Sequence, residues 1–597
     1  MRLLSRIEAV AATLLWAAFA CSRAEPPAEP KEPNAEGAPA VDESNPVYGD
    51  WLVQWLLADP ESLNPLTSND LASSQVLSNI ETQLLTLHPE TLKPIPVVAT
   101  ALPEIADDHL MYTFHIRGDV TFSDGKPLTV DDILFSLKAI KDPEVDAAAL
   151  RNYFNSVIDA RSLDPRTVQF RCSEPYFRND TVLGQIPILP RHFYDPGGLL
   201  DGISVAELSR WGSIDAEKKA RAIRFAESFN RDFHRKVLGA GGYVLADPAR
   251  DLITGERVVL QRRRDFWAPG DSLRGDGWVD RIFFRVINNS DAALVALKAG
   301  TLDLMSLSPL QHLKQTGTPG FRSRFEKKIA YSPTYSYIGW NETRPIFRDK
   351  RVRQSLAHFI DRDRIIEKVL FGFGEKVNSP VYFFRPEYNK NLKGYAFDPE
   401  LGKRKLAEAG WSDSDGDGVL DKVIDGKPTP LRFEIIFNSG NEIRKNVGLI
   451  VIDEMKRAGI DASLREVDWS ILLEKVEHFD YDAVILGWAF SAGDTDLYQI
   501  WHSSQAVAGG SNHVAFKNAE ADRVLEEYRR EFDEKRRIQL YMRLQEILEE
   551  EAPYAFLYIP KGISAFDRRF QNTRWYPTGG PNLNEWWVPL ALQRYGH

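Results

Sequence analysis

The sequence predicts an α/β protein built from more than one lobe, on three observations. Short apolar runs with strand-like alternation are interleaved with longer stretches of helical periodicity, the pattern of mixed sheet-and-helix architecture. At 597 residues the chain is too long for one core, so about two to four lobes are expected. Residues 112–143 read YTFHIRGDVTFSDGKPLTVDDILFSLKAIKDP, which is strand, turn, strand and capped helix in succession. There Tyr112-Thr113-Phe114-His115-Ile116-Arg117 alternates as a half-buried strand, and Asp124-Gly125 marks a turn with Pro127 behind it. Thr129 fits the N-cap of a helix whose first turn carries Asp131 and Asp132 at the positive end of its dipole.

The N-terminus comes before any of this. Arg2 and Arg6 precede an apolar run over residues 9–20, too short to cross a membrane as a permanent helix. The run ends Ala18-Phe19-Ala20-Cys21, which reads either as an A-x-A cleavage site or as a lipobox with Cys21 acylated. A cysteine at the cleavage point favours the lipid anchor. Residues 1–20 are then a signal peptide. Residues 21–45, rich in Pro, Ala and Glu, are a tether that cannot build a core. With Cys21 acylated or removed, Cys172 has no disulfide partner and is expected as a small buried hydrophobe.

Hydrophobic content of 43 % and charged content of 27 % are those of a globular chain, and a net charge of −11 argues against a nucleic-acid partner. The eleven histidines are scattered. No H-E-x-x-H, paired His/Cys metal spacing, G-x-S-x-G or Walker A loop occurs, so no enzyme is expected. Asp131-Asp132 and Glu549-Glu550-Glu551 are adjacent on helices and do not face one another, so they read as helix-terminal or solvated charge. A hydrolase would need two acids converging on one cleft. Residues 525–537 (LEEYRREFDEKRR) read as one amphipathic surface helix. Leu525, Tyr528 and Phe532 form its stripe, and Glu526/Arg530, Glu531/Lys535 and Asp533/Arg537 its i,i+4 pairs.

About ten short motifs then occur in a meaningful order. Residues 59–65 read DPESLNP and residues 79–85 NIETQLL, followed by the 112–143 segment. Gly241-Gly242-Tyr243-Val244-Leu245 comes next, with Phe266-Trp267 beyond it. NETRPIFRDKRVRQSLAHFIDRD (341–363), YAFDPELGKRKLAEAGW (395–411) and Gly487-Trp488 complete the series. In this order they closely resemble the bacterial extracellular solute-binding proteins of family 5, the peptide/nickel type that hands captured solutes to ABC importers. The resemblance implies a periplasmic-binding-protein type II-like α/β fold with an extra lobe: three lobes, with the ligand enclosed between two. On that pattern lobe I comprises 46–88, 237–308 and 551–597, lobe II 89–236 and lobe III 309–550. It also implies a monomer, anchored in the cell envelope on the periplasmic side, whose partners are a small solute and the permease subunits.

The resemblance points to a pocket as well. Residues 482–501 read DAVILGWAFSAGDTDLYQIW where peptide-binding relatives resemble GWxxDxxDP. Trp488 is expected to line the pocket and Phe490, at i+2, to share its face if the strand continues. The position that anchors a peptide ammonium falls on Ser491, while the second acid remains as Asp494. Thr82 stands where many relatives carry an acid, and Asn438 lies near where a dipeptide-binding relative presents an arginine. A hydroxyl cannot replace a buried charge partner. The solute is therefore either a peptide held differently or a non-peptide such as an oligosaccharide, opine or metal chelate. The outside alternatives are a signalling receptor and a hydrolase.

Residues 413–421 fit D-x-D-x-D-G-x-x-D. Asp413, Asp415, Asp417, the Val419 carbonyl and Asp421 could supply hard oxygens to a structural calcium, although Ile424 stands where a full EF-hand has its bidentate Glu. The other reading is a plain Asp/Gly turn that needs no ion, and no other cofactor is required.

Overall fold

The computed structural model describes residues 45–68, 70–489, 496–577 and 580–596. Cys21, the leader and most of the tether lie outside the described residues.

A thirteen-stranded mixed sheet runs through the molecule, and the strand Tyr554–Asp567 is its seam. The first residues of this strand pair with Thr334–Trp340, Phe556 lying opposite Tyr337. Its last residues pair with Leu304–Leu307, Ile563 lying opposite Leu307. On the first side follow Ala483–Ala489, Arg432–Asn438 and Asp461–Val467. On the other follow Trp51–Leu56, Arg281–Val286 and Arg257–Arg262. Both halves contain parallel strands joined through a helix, neighbours in the first half and separated by Trp51–Leu56 in the second, as α/β crossovers require. Glu442–Arg457 links Arg432–Asn438 to Asp461–Val467, and Ser290–Ala299 follows Arg281–Val286. The latter helix is capped by Asn289 and stopped by Gly300 at φ 79°, a left-handed position that suits glycine. The apolar run Ala483-Val484-Ile485-Leu486 is buried because both faces of its strand are covered.

A separate four-stranded antiparallel sheet, in the order Glu104–Ile105, Met111–His115, Thr167–Cys172, Val157–Asp164, buries its own core. Helices Val130–Lys141 and Ala216–Asp232 supply Phe135, Ile140, Phe225 and Phe229 to that core. Cys172 lies within it, 1 % exposed, and burial pushes its thiol up to about 12. Val130–Lys141 begins where Thr129 predicts: the Thr129 N–H and hydroxyl both donate to Asp132 at 2.9 Å.

The single helix expected over residues 525–537 is two. Ala519–Arg530 ends, and Glu534–Glu551 starts from Asp533, whose carboxylate accepts the Arg536 N–H at 2.8 Å. A capping aspartate competes with continued helix at this point. Glu531/Lys535 and Asp533/Arg537 therefore straddle a break. Arg537 donates instead to the Glu531 and Phe532 carbonyls. Phe532 leaves the Leu525/Tyr528 stripe and stacks on His109 of the four-stranded lobe, with centroids 3.6 Å apart.

Candidate functional site

A hollow of about 300 Å³ lies on the first half of the long sheet, against its seam strand. Thr334, Tyr335 and Ser336 form one wall, Gly487, Trp488 and Ala489 the next, and Asn441, Arg444, Tyr558 and Pro560 close it. Tyr335 and Trp488 are register partners on neighbouring strands, so the hollow opens directly on the sheet. A tighter void beside Arg362 and Tyr395 holds only about 20 Å³, too little for a solute.

Trp488 is half-buried and fixed from behind. Its indole N–H donates to the Tyr554 hydroxyl at 3.3 Å, and its ring stacks on His513 at 5.4 Å. Tyr554 in turn stacks on Tyr337 at 3.7 Å. Burial holds the His513 imidazole down to about 4, so this aromatic wall is uncharged at neutral pH. A rigid ring with one open face is suited to stacking on an apolar or planar group.

Arg444 supplies the charge. It is the third residue of Glu442–Arg457, whose N-cap Asn441 accepts the Arg444 N–H at 3.0 Å. Its guanidinium donates to Asn438 Oδ1 at 2.6 Å, and among the described residues no carboxylate pairs with it. Burial lowers its pKa from the ordinary arginine value, with Tyr337 and Tyr558 acting the other way. Asn438 thus orients the cation and does not itself line the hollow. The sequence carries one sign of Arg444: a cation in the first turn of a capped helix opposes the helix dipole and needs another reason to be there.

The other expected residues are dispersed. Thr82 lies in a different cavity, between the lobes, and shares no hollow with Trp488. Phe490, Ser491 and Asp494 lie outside the described residues, just beyond the strand end at Ala489. The 413–421 loop is exposed and remote from both hollows. Oxygens of Asp413, Asp415 and Asp421 come within 4.8 Å of one another. Asp413 accepts the Gly416 and Gly418 N–H groups, Asp417 accepts the Val419 N–H, and Asp421 accepts from Ser414.

A set of contacts also ties the four-stranded lobe to residues 496–498 and 529. The Tyr176 hydroxyl of the four-stranded lobe donates to Asp496 at 2.8 Å, and Arg529 pairs with the same carboxylate at 3.1 Å. The Arg529 guanidinium sits between the Tyr176 and Tyr498 rings, 4.7 and 4.4 Å from their centroids.

Residues 93–509 match the sequence profile of bacterial extracellular solute-binding proteins, family 5 (middle region). The chain belongs to that family. This family 5 protein is 29 % identical to the oligopeptide-binding protein AppA of Bacillus subtilis, over 91 % of this chain and 92 % of AppA. The solved structure of that AppA, in complex with a nonapeptide, superposes with a TM-score of 0.71 at 27 % identity, covering 91 % of this chain and all (100 %) of that one. NikA from Brucella suis, solved with Fe(III)-EDTA, shares the fold at 20 % identity and a TM-score of 0.72, covering 90 % of this chain and 99 % of that one. The α/β solute-binding-protein fold implied by the motif order is the observed one.

Proposed function

We propose that this protein is the exported substrate-binding component of an ABC importer and that its solute is a peptide with a free terminal carboxylate. The observation that carries this reading is Arg444: a half-buried guanidinium, aimed by Asn438, unpaired with any described carboxylate, on the wall of a hollow that also presents Trp488. Such a cation is costly until an anion arrives, and a bidentate carboxylate is the matching partner. The peptide complex of the AppA relative supports the same solute class. Binding needs no bond-breaking group, and the protein acts as a carrier and not a catalyst.

Capture proceeds by closure of the sheet halves on the solute. The chain crosses between them at residues 331–334 and along Tyr554–Asp567, where the Ser332 N–H donates to the Pro560 carbonyl at 2.9 Å. The closed protein is then presented to the permease. Anchoring through Cys21 keeps a monomer near the membrane, and palmitate labelling that survives Cys21→Ala would contradict it.

Calorimetry with short peptides tests the carboxylate reading. The free acid is expected to bind about tenfold or more tighter than its C-terminal amide, and Arg444→Ala is expected to erase that preference. Equal affinity of acid and amide for the unmodified protein would overturn it.

A further inference from the structure

Between the core around Ile80 and Tyr243 and the core around Leu84 and Val97 lies a polar cavity of about 400 Å³. Glu81 and Thr82 sit on the short link between these cores and both line it. Thr82 is 6 % exposed and its hydroxyl has no hydrogen-bond partner among the described residues. The Glu81 carboxyl has neither a hydrogen bond nor an ion pair among the described residues, and burial alone sets its pKa. The remaining polar wall mixes the amides of Asn79, Gln83, Asn582 and Asn584 with the hydroxyls of Ser78, Thr86 and Ser272. Arg274 also borders the cavity, but its guanidinium is taken by Asp271.

Glu81 is partly buried and lines the cavity with its carboxyl unpaired, and the buried Thr82 hydroxyl beside it lacks a partner among the described residues, which costs free energy until a donor arrives. The ligand that satisfies both is narrow in chemistry. An anion would find no free cation, because Arg274 is already neutralised by Asp271. Calcium would want six or more oxygens and more than one carboxylate. A primary ammonium has three donors, enough for the carboxylate, the hydroxyl and one amide carbonyl.

We propose that this cavity is a second binding site, for a small primary amine whose ammonium pairs with Glu81 and donates to the Thr82 hydroxyl. It shares no lining residue with the Trp488 hollow, so the inference goes beyond solute capture and stands or falls separately from it.

Glu81 gives the site a further signature. Burial pushes the Glu81 carboxyl up to about 8, so at pH 7 it is largely protonated. An arriving ammonium favours the carboxylate, and binding at pH 7 therefore releases a proton. The nearby titratable groups are Tyr194, held above its ordinary value by burial first with Glu81 adding to it, and the Arg274–Asp271 pair.

Titration calorimetry on the full protein at pH 7, in buffers of different ionisation enthalpy, tests this with putrescine and with butanediol as its neutral twin. Putrescine is expected to bind saturably with proton release, butanediol not at all. Glu81→Gln is expected to weaken putrescine by about tenfold or more and abolish proton release. Trp488→Ala should leave putrescine binding unchanged. If Glu81→Gln melts early, Thr82→Val provides the second reading and should weaken binding several-fold. No binding by the unmodified protein, putrescine affinity indifferent to both cavity variants, or loss of binding in Trp488→Ala would each overturn the proposal.

Discussion

Trp488 has one face against His513 and its N–H on Tyr554, so its open face costs little entropy to offer to a ligand. Trp488→Ala is expected to weaken solute binding by about 2 kcal/mol, roughly 30-fold, at a near-normal melting temperature. Unchanged affinity with normal melting would contradict its place at the ligand. His513 behind it gives a pH test. Its folded pKa, about 4, lies below the unfolded histidine value, so between about 4 and 6.5 the unfolded chain binds more protons. Its burial as a neutral ring therefore costs stability as pH falls through that window. His513→Phe should flatten the fall of melting temperature from pH 6.5 to 4.5, and parallel curves would count against the assignment. That Trp488 lines a hollow was legible through the resemblance of Gly487-Trp488 to the family pattern. Arg444 was not, because the hollow draws on segments near residues 335, 443, 488 and 559, and nothing in their spacing records that they meet.

At the scale of elements, local chemistry was the most legible. Thr129, Asp124-Gly125 and the acids at 131–132 mark a helix start, and the helix begins there. What the pattern does not reveal is that Asp132 also accepts the Arg191 N–H at 2.9 Å, binding this helix to the short helix Arg191–Tyr194, 59 residues further on. Asp132→Ala leaves the Thr129 and Arg191 N–H groups unpaired at a site 5 % exposed. A loss of about 2–4 kcal/mol in denaturant unfolding is expected, and a loss below 1 kcal/mol would show that water replaces the carboxylate. The break at Asp533 shows the opposite case. Periodicity favoured one helix over 525–537, but a cap within it and the docking of Phe532 on His109 made two. Tertiary contact of this kind leaves no mark in a thirteen-residue window.

The whole molecule is organised by one strand, Tyr554–Asp567, which belongs to both sheet halves. Tyr176, Asp496, Arg529 and Tyr498 join the four-stranded lobe to the segments around residues 496–498 and 529. Arg529→Ala is expected to release bound solute about tenfold faster and to raise the radius of gyration in solution scattering, with the melting temperature nearly unchanged. An unaltered off-rate would mean that the clasp does not hold the closed state. Motif order made the family legible over nearly the whole chain, whereas the clasp joins residues 320 positions apart and could be seen only in the fold. The most direct test of the central claim is native mass spectrometry of the protein purified gently and without refolding. Peptide capture predicts a ladder of bound masses corresponding to short peptides, lost in Arg444→Ala. A single discrete non-peptide mass, retained in that variant, would contradict it.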